Sequence, residues 1–149
     1  MVCGSHMIDS GLGVLLANAP KPNLLSPLNL AYVGDAIYEL VVRTVLISKG
    51  NVPIAKLNEQ ARAYVRASFQ AQMFRNVEPH LTEEERAILM RGRNASPKNT
   101  PKNAKTIEYR LATAVEALFG YLYLMGRIER LLEIFELNLD KLEKEEGGS

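Results

Sequence analysis

The sequence predicts an all-α chain folded as a single helical domain. Apolar residues recur at three- and four-residue spacing in one segment after another, the pattern of helices that each bury one face. No stretch alternates in the manner of a strand between Asn-Gly or Asp-Gly turns. A length of 149 residues suits one domain, and no internal repeat divides it.

In order along the chain, Met1 to Met7 (MVCGSHM) reads as the remnant of an expression tag and is set apart from the fold. A short apolar helix is expected over Ile8 to Ala19, broken by Pro20, Pro22 and Asn23. Ser26 can cap the next helix and Pro27 suits its first position. That helix should run to about Lys49 and stop at Gly50, burying a stripe of Leu30, Val33, Ile37, Val41, Thr44 and Val45. After Pro53, helix is expected from Ile54 to about Asn76, with a break near Arg66 to Ser68. Thr82 and Glu85 form a capping box for a short helix ending at Gly92. Arg93 to Lys105 holds two prolines and three asparagines and reads as a loop. Thr106 to Met125 is an apolar helix ended by Gly126. Arg127 to about Lys144 closes the domain with Leu131, Leu132, Phe135 and Leu139 on one stripe. The domain thus spans residues 8–144, and 145–149 reads as a disordered tail.

Setting the tag apart removes Cys3, the only cysteine, and His6, leaving His80 as the only histidine. Disulfides are then absent, as in a reducing cytoplasm. A Cys/His zinc site and a Ser–His or Cys–His catalytic pair lose their ligands, and His80 reads as a surface residue beside Pro79. No apolar run approaches the roughly 20 residues that span a bilayer, and no signal peptide is visible. The net charge of +1 hides an uneven distribution. Between Arg86 and Arg110 stand seven basic residues (Arg86, Arg91, Arg93, Lys98, Lys102, Lys105, Arg110) and one acid, Glu108. Such a strip is either a local contact for a polyanion or a solvated loop with incidental cations.

Two acids stand in unusual settings. Asp35 lies mid-helix within Leu30-Ala31-Tyr32-Val33-Gly34-Asp35-Ala36-Ile37-Tyr38, and Glu116 within Ala112-Thr113-Ala114-Val115-Glu116-Ala117-Leu118-Phe119-Gly120. Apolar neighbours suggest that both are buried, and a buried charge requires a partner or a metal. Either the two acids converge on one cation such as Mg²⁺, which takes one or two carboxylates plus water and phosphate oxygens, or each pairs with an arginine such as Arg43 or Arg110. Gly34 and Gly120, beside or near these acids, imply a close backbone approach, for packing or for function. Glu39 either shares the face of Asp35 or pairs with Arg43. Tyr32, Tyr38, Tyr121 and Tyr123 read as core or interface residues.

Tyr32-Val33-Gly34-Asp35-Ala36-Ile37 resembles the signature helix of ribonuclease III domains. Thr113 to Leu124 (TAVEALFGYLYL) resembles that family's second metal-binding helix. From about Leu24 to Leu139, with Arg91-Gly92-Arg93-Asn94-Ala95 between the two segments, the chain looks like the compact Mini-ribonuclease III branch, which has no double-stranded-RNA-binding domain. The resemblance implies a homodimeric helical endonuclease domain. It further implies hydrolysis of double-stranded RNA that leaves a 5′-phosphate, with Mg²⁺ (or Mn²⁺ in its place) held by Asp35 and Glu116. Thr113 and Glu39 become candidates for supporting contacts. Arg91, Arg93, Lys98, Lys102 and Lys105 become candidate RNA contacts, and Tyr32 is placed near the two-fold axis. The substrate implied is precursor 23S ribosomal RNA. The larger family carries further acids at its site. The matching positions here are Leu28 and Ala31, for an upstream pair, and Thr113, for the aspartate preceding Glu116. An inactive, structural RNA-binding member of the same fold is the alternative.

Overall fold

From Leu111 to Leu122 every residue except Glu116 is buried, and the rest of the protein packs around this segment. The computed structural model describes residues 11–95 and 103–147, with side-chain surroundings as far as residue 139. Within them, 3₁₀ turns at Gly11–Leu16 and Pro22–Leu24 precede α1 (Pro27–Ser48), α2 (Ile54–Val65) and α3 (Ala67–Val77). A 3₁₀ turn at Glu78–His80 leads into α4 (Glu83–Arg93), α5 (Ala104–Leu124) and α6 (Ile128–Gly147). No strand occurs among the described residues, and no helix there is long and apolar enough to cross a membrane.

Local chemistry sets most of the boundaries. Ser26 Oγ accepts the Asn29 N–H at 3.1 Å, with Pro27 following in the first turn of α1. Gly50, at φ 131°, carries the chain out of α1 through a region closed to other residues. Between α2 and α3, Arg66 is extended (ψ 150°), and its carbonyl accepts the N–H groups of Phe69 and Gln70. The Thr82–Glu85 capping box forms in both directions, at 3.2 and 3.0 Å. Arg130 of α6 grips the same Glu85 carboxylate at 2.8 and 2.9 Å and also donates to the His80 carbonyl. At the end of α5, Gly126 (φ 74°) turns the chain so that Arg127 N–H returns to the Leu122 carbonyl at 2.8 Å.

Four expectations are corrected. The first apolar segment is a 3₁₀ turn ending at Leu16; Gly11 and Gly13 weaken any α-helix there. The buried stripe of α1 is Leu30, Ala31, Gly34, Tyr38, Val42 and Leu46, and Thr44 is exposed. The helix is apolar on most of its circumference, so spacing fits two stripes, and contact with α5 selects the one containing Gly34. On α6, Ile134 and Asn138 join Leu131 and Phe135 in the interior, while Leu132 is 40% exposed. Gly92 does not end α4 but lies buried within its last turn. Outside these points α6 continues through Gly147, into the segment read as a tail.

Tyr38, Phe119 and Phe135 form the aromatic centre of the core, their ring centroids 5.5 to 6.4 Å apart and tilted edge to face. The Tyr38 hydroxyl donates to the Tyr64 carbonyl, which ties the end of α2 to the core.

Candidate active site

Glycines bring two helices against α5 at backbone distance. A Cβ placed on Gly34 would stand 1.6 Å from the Glu116 carbonyl oxygen, and one on Gly120 would stand 1.9 Å from that of Leu30. α1 and α5 therefore cross with no side chain between them. On the other side of α5, a Cβ on Gly92 would come within 2.9 Å of both Ala114 Cα and Ala117 Cβ, so the last turn of α4 also seats beside the Glu116 turn.

This crossing brings Asp35 and Glu116 together. Gly34 is the contact residue, so Asp35, about 100° further round the helix, emerges at the lip of the crossing. It is exposed, not buried as its apolar neighbours suggested. Glu116 is half-buried beneath it. Burial pushes the Glu116 carboxyl up to about 8, helped by the hydrogen bond and the like charge of Asp35. Two carboxyls that disfavour joint ionisation can share a proton, or a cation can take the proton's place.

No arginine neutralises the pair. Among the described residues the ion pairs are Glu39–Arg43, Glu78–Arg86, Glu84–Arg127, Glu85–Arg130 and Glu133–Arg130. Nor do three or more acidic, cysteine or histidine side chains gather anywhere among them. The donor set is thus two convergent carboxylates, one open to solvent. That fits a hard divalent cation which keeps water and substrate oxygens for its remaining positions.

The other candidates divide. Glu39 bonds Arg43 at 3.0 Å on the surface of α1, and the Thr113 hydroxyl donates back to the Tyr109 carbonyl at 2.9 Å. Arg93 and Lys105 are exposed on either side of the loop, whereas Lys98 and Lys102 lie outside the described residues. Arg91 donates to the carbonyls of Asn23 (3.3 Å) and Leu25 (3.2 Å), just ahead of the α1 cap. Nothing in the sequence signalled this contact between residues far apart in the chain. It ties the exposed Arg91 side chain, one of the RNA-contact candidates, to the backbone ahead of α1. The packing role of Gly92 was also missed, although a glycine inside a capped helix is a signal for close approach.

Comparison with known proteins agrees with this geometry. Residues 28–127 match the Ribonuclease III domain family. The chain is 50% identical over 115 residues to the Mini-ribonuclease 3 of Brevibacillus brevis, covering 77% of this chain and 86% of that one. It is 44% identical over 120 residues to that of Thermoanaerobacter sp. (strain X514), covering 80% and 84%. A crystal structure of a Fusobacterium nucleatum protein superposes with a TM-score of 0.70 at 34% identity, covering 80% of this chain and 97% of that one. With its signature helix, its acid pair and nearly the full length of these relatives, the chain belongs to the ribonuclease III family of endoribonucleases, alongside the Mini-ribonuclease 3 proteins.

Proposed function

We propose that this protein is a Mg²⁺-dependent endoribonuclease that cuts double-stranded RNA as a homodimer, acting in the cytoplasm on precursor 23S ribosomal RNA. The observation that carries the reading is the Asp35–Glu116 pair: two acids of separate helices, juxtaposed by a glycine crossing and free of any arginine. When bound, the cation would supply Lewis-acid activation of water and neutralise charge at the phosphate.

The protein's own part is to hold that charge and position the duplex. Loss of the shared proton from Glu116 readies the pair for a cation, so metal uptake releases protons below about pH 8. His80 serves neither as acid nor as base. It belongs to the turn before α4, at the opposite end of that helix from Gly92 and the site. Arg93, Lys98, Lys102 and Lys105 contact phosphates beside the cut, so that the catalytic domain itself supplies affinity for the duplex. Changing the three lysines together to alanine should flatten the salt dependence of RNA binding by about 0.9 for each phosphate no longer neutralised. An unaltered slope would remove the lysines from the interface.

The dimer rests on the outer face of α1. Leu28, Tyr32, Leu40 and Ile47 stand 52 to 83% exposed there, near the three- and four-residue spacing that lines up one face. An apolar face of this kind resembles half of an obligate interface. One site per subunit, paired about a two-fold axis, allows both strands to be cut.

The test is direct. The wild-type protein should elute as a dimer and cut an RNA duplex with Mg²⁺, stop with EDTA, and resume with Mg²⁺ or Mn²⁺. Binding of duplex and precursor RNA with no cutting under any of these conditions would favour a structural RNA-binding protein instead.

A further inference from the structure

Seven residues before Glu116, α5 carries Tyr109, which is 62% exposed. At 100° and 1.5 Å per residue, Tyr109 lies about 20° from Glu116 around the axis and about 10 Å along it. Lys105, also exposed, lies about 20° to the other side and about 16 Å along. Cation, phenol and carboxylate therefore stand in one stripe running from the basic loop to the candidate site.

Tyr109 differs from the two fully buried tyrosines and from Tyr32. Tyr38 and Tyr121 are buried, with their hydroxyls committed to the Tyr64 carbonyl and to Glu84. Tyr32 belongs to the outer face of α1. Among the described residues the Tyr109 hydroxyl has no partner; only its backbone carbonyl is engaged, by Thr113. Among the described residues, neither packing nor a hydrogen bond accounts for a phenol at this position.

We propose that Tyr109 is an RNA-binding residue that holds a ribose 2′-hydroxyl of the strand flanking the cut, with Lys105 on an adjoining phosphate. The inference rests on the reading of the Asp35–Glu116 edge as the place of the scissile phosphate. In duplex RNA the paired bases are stacked and closed to an aromatic ring, while the shallow minor groove displays 2′-hydroxyls and phosphates. A phenol both donates and accepts, as does a 2′-hydroxyl, and its ring flank can lie against ribose carbons. Lysine alone grips DNA and RNA alike, so the phenol is the group in this stripe that distinguishes them.

The experiment measures affinity for fluorescent 20-base-pair duplexes, with Glu116→Gln as the non-cutting parent. Tyr109→Phe and Tyr109→Leu are added to that parent, and the duplexes carry single 2′-deoxy substitutions at successive positions across the bound region. Tyr109→Phe should weaken binding of the all-RNA duplex five- to tenfold. A 2′-deoxy substitution at one position should cause the same loss with Tyr109 present and no further loss with phenylalanine. Unaltered affinity in both variants, or losses that multiply at every position, would overturn the proposal. So would a lowered melting temperature with unaltered affinity, which would make Tyr109 a packing residue. If the coupling is found but the protein with Glu116 never cuts RNA, the nuclease reading fails and Tyr109 keeps its role. If the protein cuts and no coupling is found, the reverse holds.

Discussion

Replacing Gly34 by alanine adds one methyl group at the tightest point of the structure. The new Cβ would lie 1.6 Å from the Glu116 carbonyl oxygen and 2.6 Å from its carbon, against ordinary contact at 3.4 Å or more. Both obstacles are backbone, so no side chain can rotate away and the helices must part by roughly 1.8 Å. Overpacking of this kind costs about 3 kcal/mol, and the better helix propensity of alanine offsets about 1 kcal/mol of that. The net loss of about 2 kcal/mol should lower the melting temperature by about 4–8 °C. The effect on cutting should be larger than the effect on stability. Asp35 and Glu116 sit on the two helices being parted, and a shift of about 1 Å in a catalytic constellation costs on the order of 100-fold. The assay pairs a thermal melt with the initial rate of Mg²⁺-dependent duplex cleavage at a temperature where the variant is fully folded. Gly50→Ala is the control. Its φ of 131° strains any side chain, yet a Cβ there meets nothing within 4 Å. It should therefore lose stability while cutting at the wild-type rate. If Gly34→Ala melted with the wild type and cut within threefold of it, the glycine crossing would not be what sets the site.

Three other outcomes follow from the same contacts. Glu116 is held near 8 from an ordinary value of 4.5, so the metal-free protein keeps a proton there that the unfolded chain releases. The resulting stabilisation is full below about pH 4.5 and is lost as pH rises through about 8. Urea melts in EDTA should show this loss between pH 5.5 and 8.5, and Glu116→Gln should abolish it. Burial would raise the Glu85 carboxyl, but the Arg130 guanidinium and the Thr82 N–H and hydroxyl hold it below its usual range. Its contribution is present above that range and is lost as pH falls through it. Glu85→Gln should cost about 3 kcal/mol in denaturant melts, with cutting unchanged in the folded variant. Tyr32→Asp should convert the dimer to monomers in light scattering, because it sets a charge in the middle of the outer face of α1. A dimer of wild-type affinity would move the interface elsewhere.

Features fixed by nearby residues were legible in the sequence. Ser26-Pro27, the Thr82–Glu85 box, Gly50 and Gly126 each act within a few residues, and the break at Arg66 fell where the helical pattern weakens. Features fixed by a partner helix were not. An all-round apolar helix such as α1 fits more than one stripe, and only its crossing at Gly34 chooses between them. The same crossing exposes Asp35, which neighbouring residues alone would bury. The acid pair itself stood out because charge amid apolar sequence is costly, but its convergence joins residues on two separate helices. Spacing carries no sign of that; resemblance to a family supplied it. The Arg91 contact was equally illegible, because its guanidinium bonds the Asn23 and Leu25 carbonyls far away in the sequence.

The most direct test of the account is the cleavage rate of a perfect RNA duplex with saturating Mg²⁺ for Asp35→Asn and Glu116→Gln beside the wild type. Dimerisation and RNA affinity are measured on the same preparations. The account predicts Mg²⁺-dependent cutting by the wild type, a loss of at least about 1000-fold in each variant, and intact dimers that still bind RNA. Cutting by either variant at a rate near that of the wild type would contradict it, because the two carboxylates would then not be the groups that hold the metal.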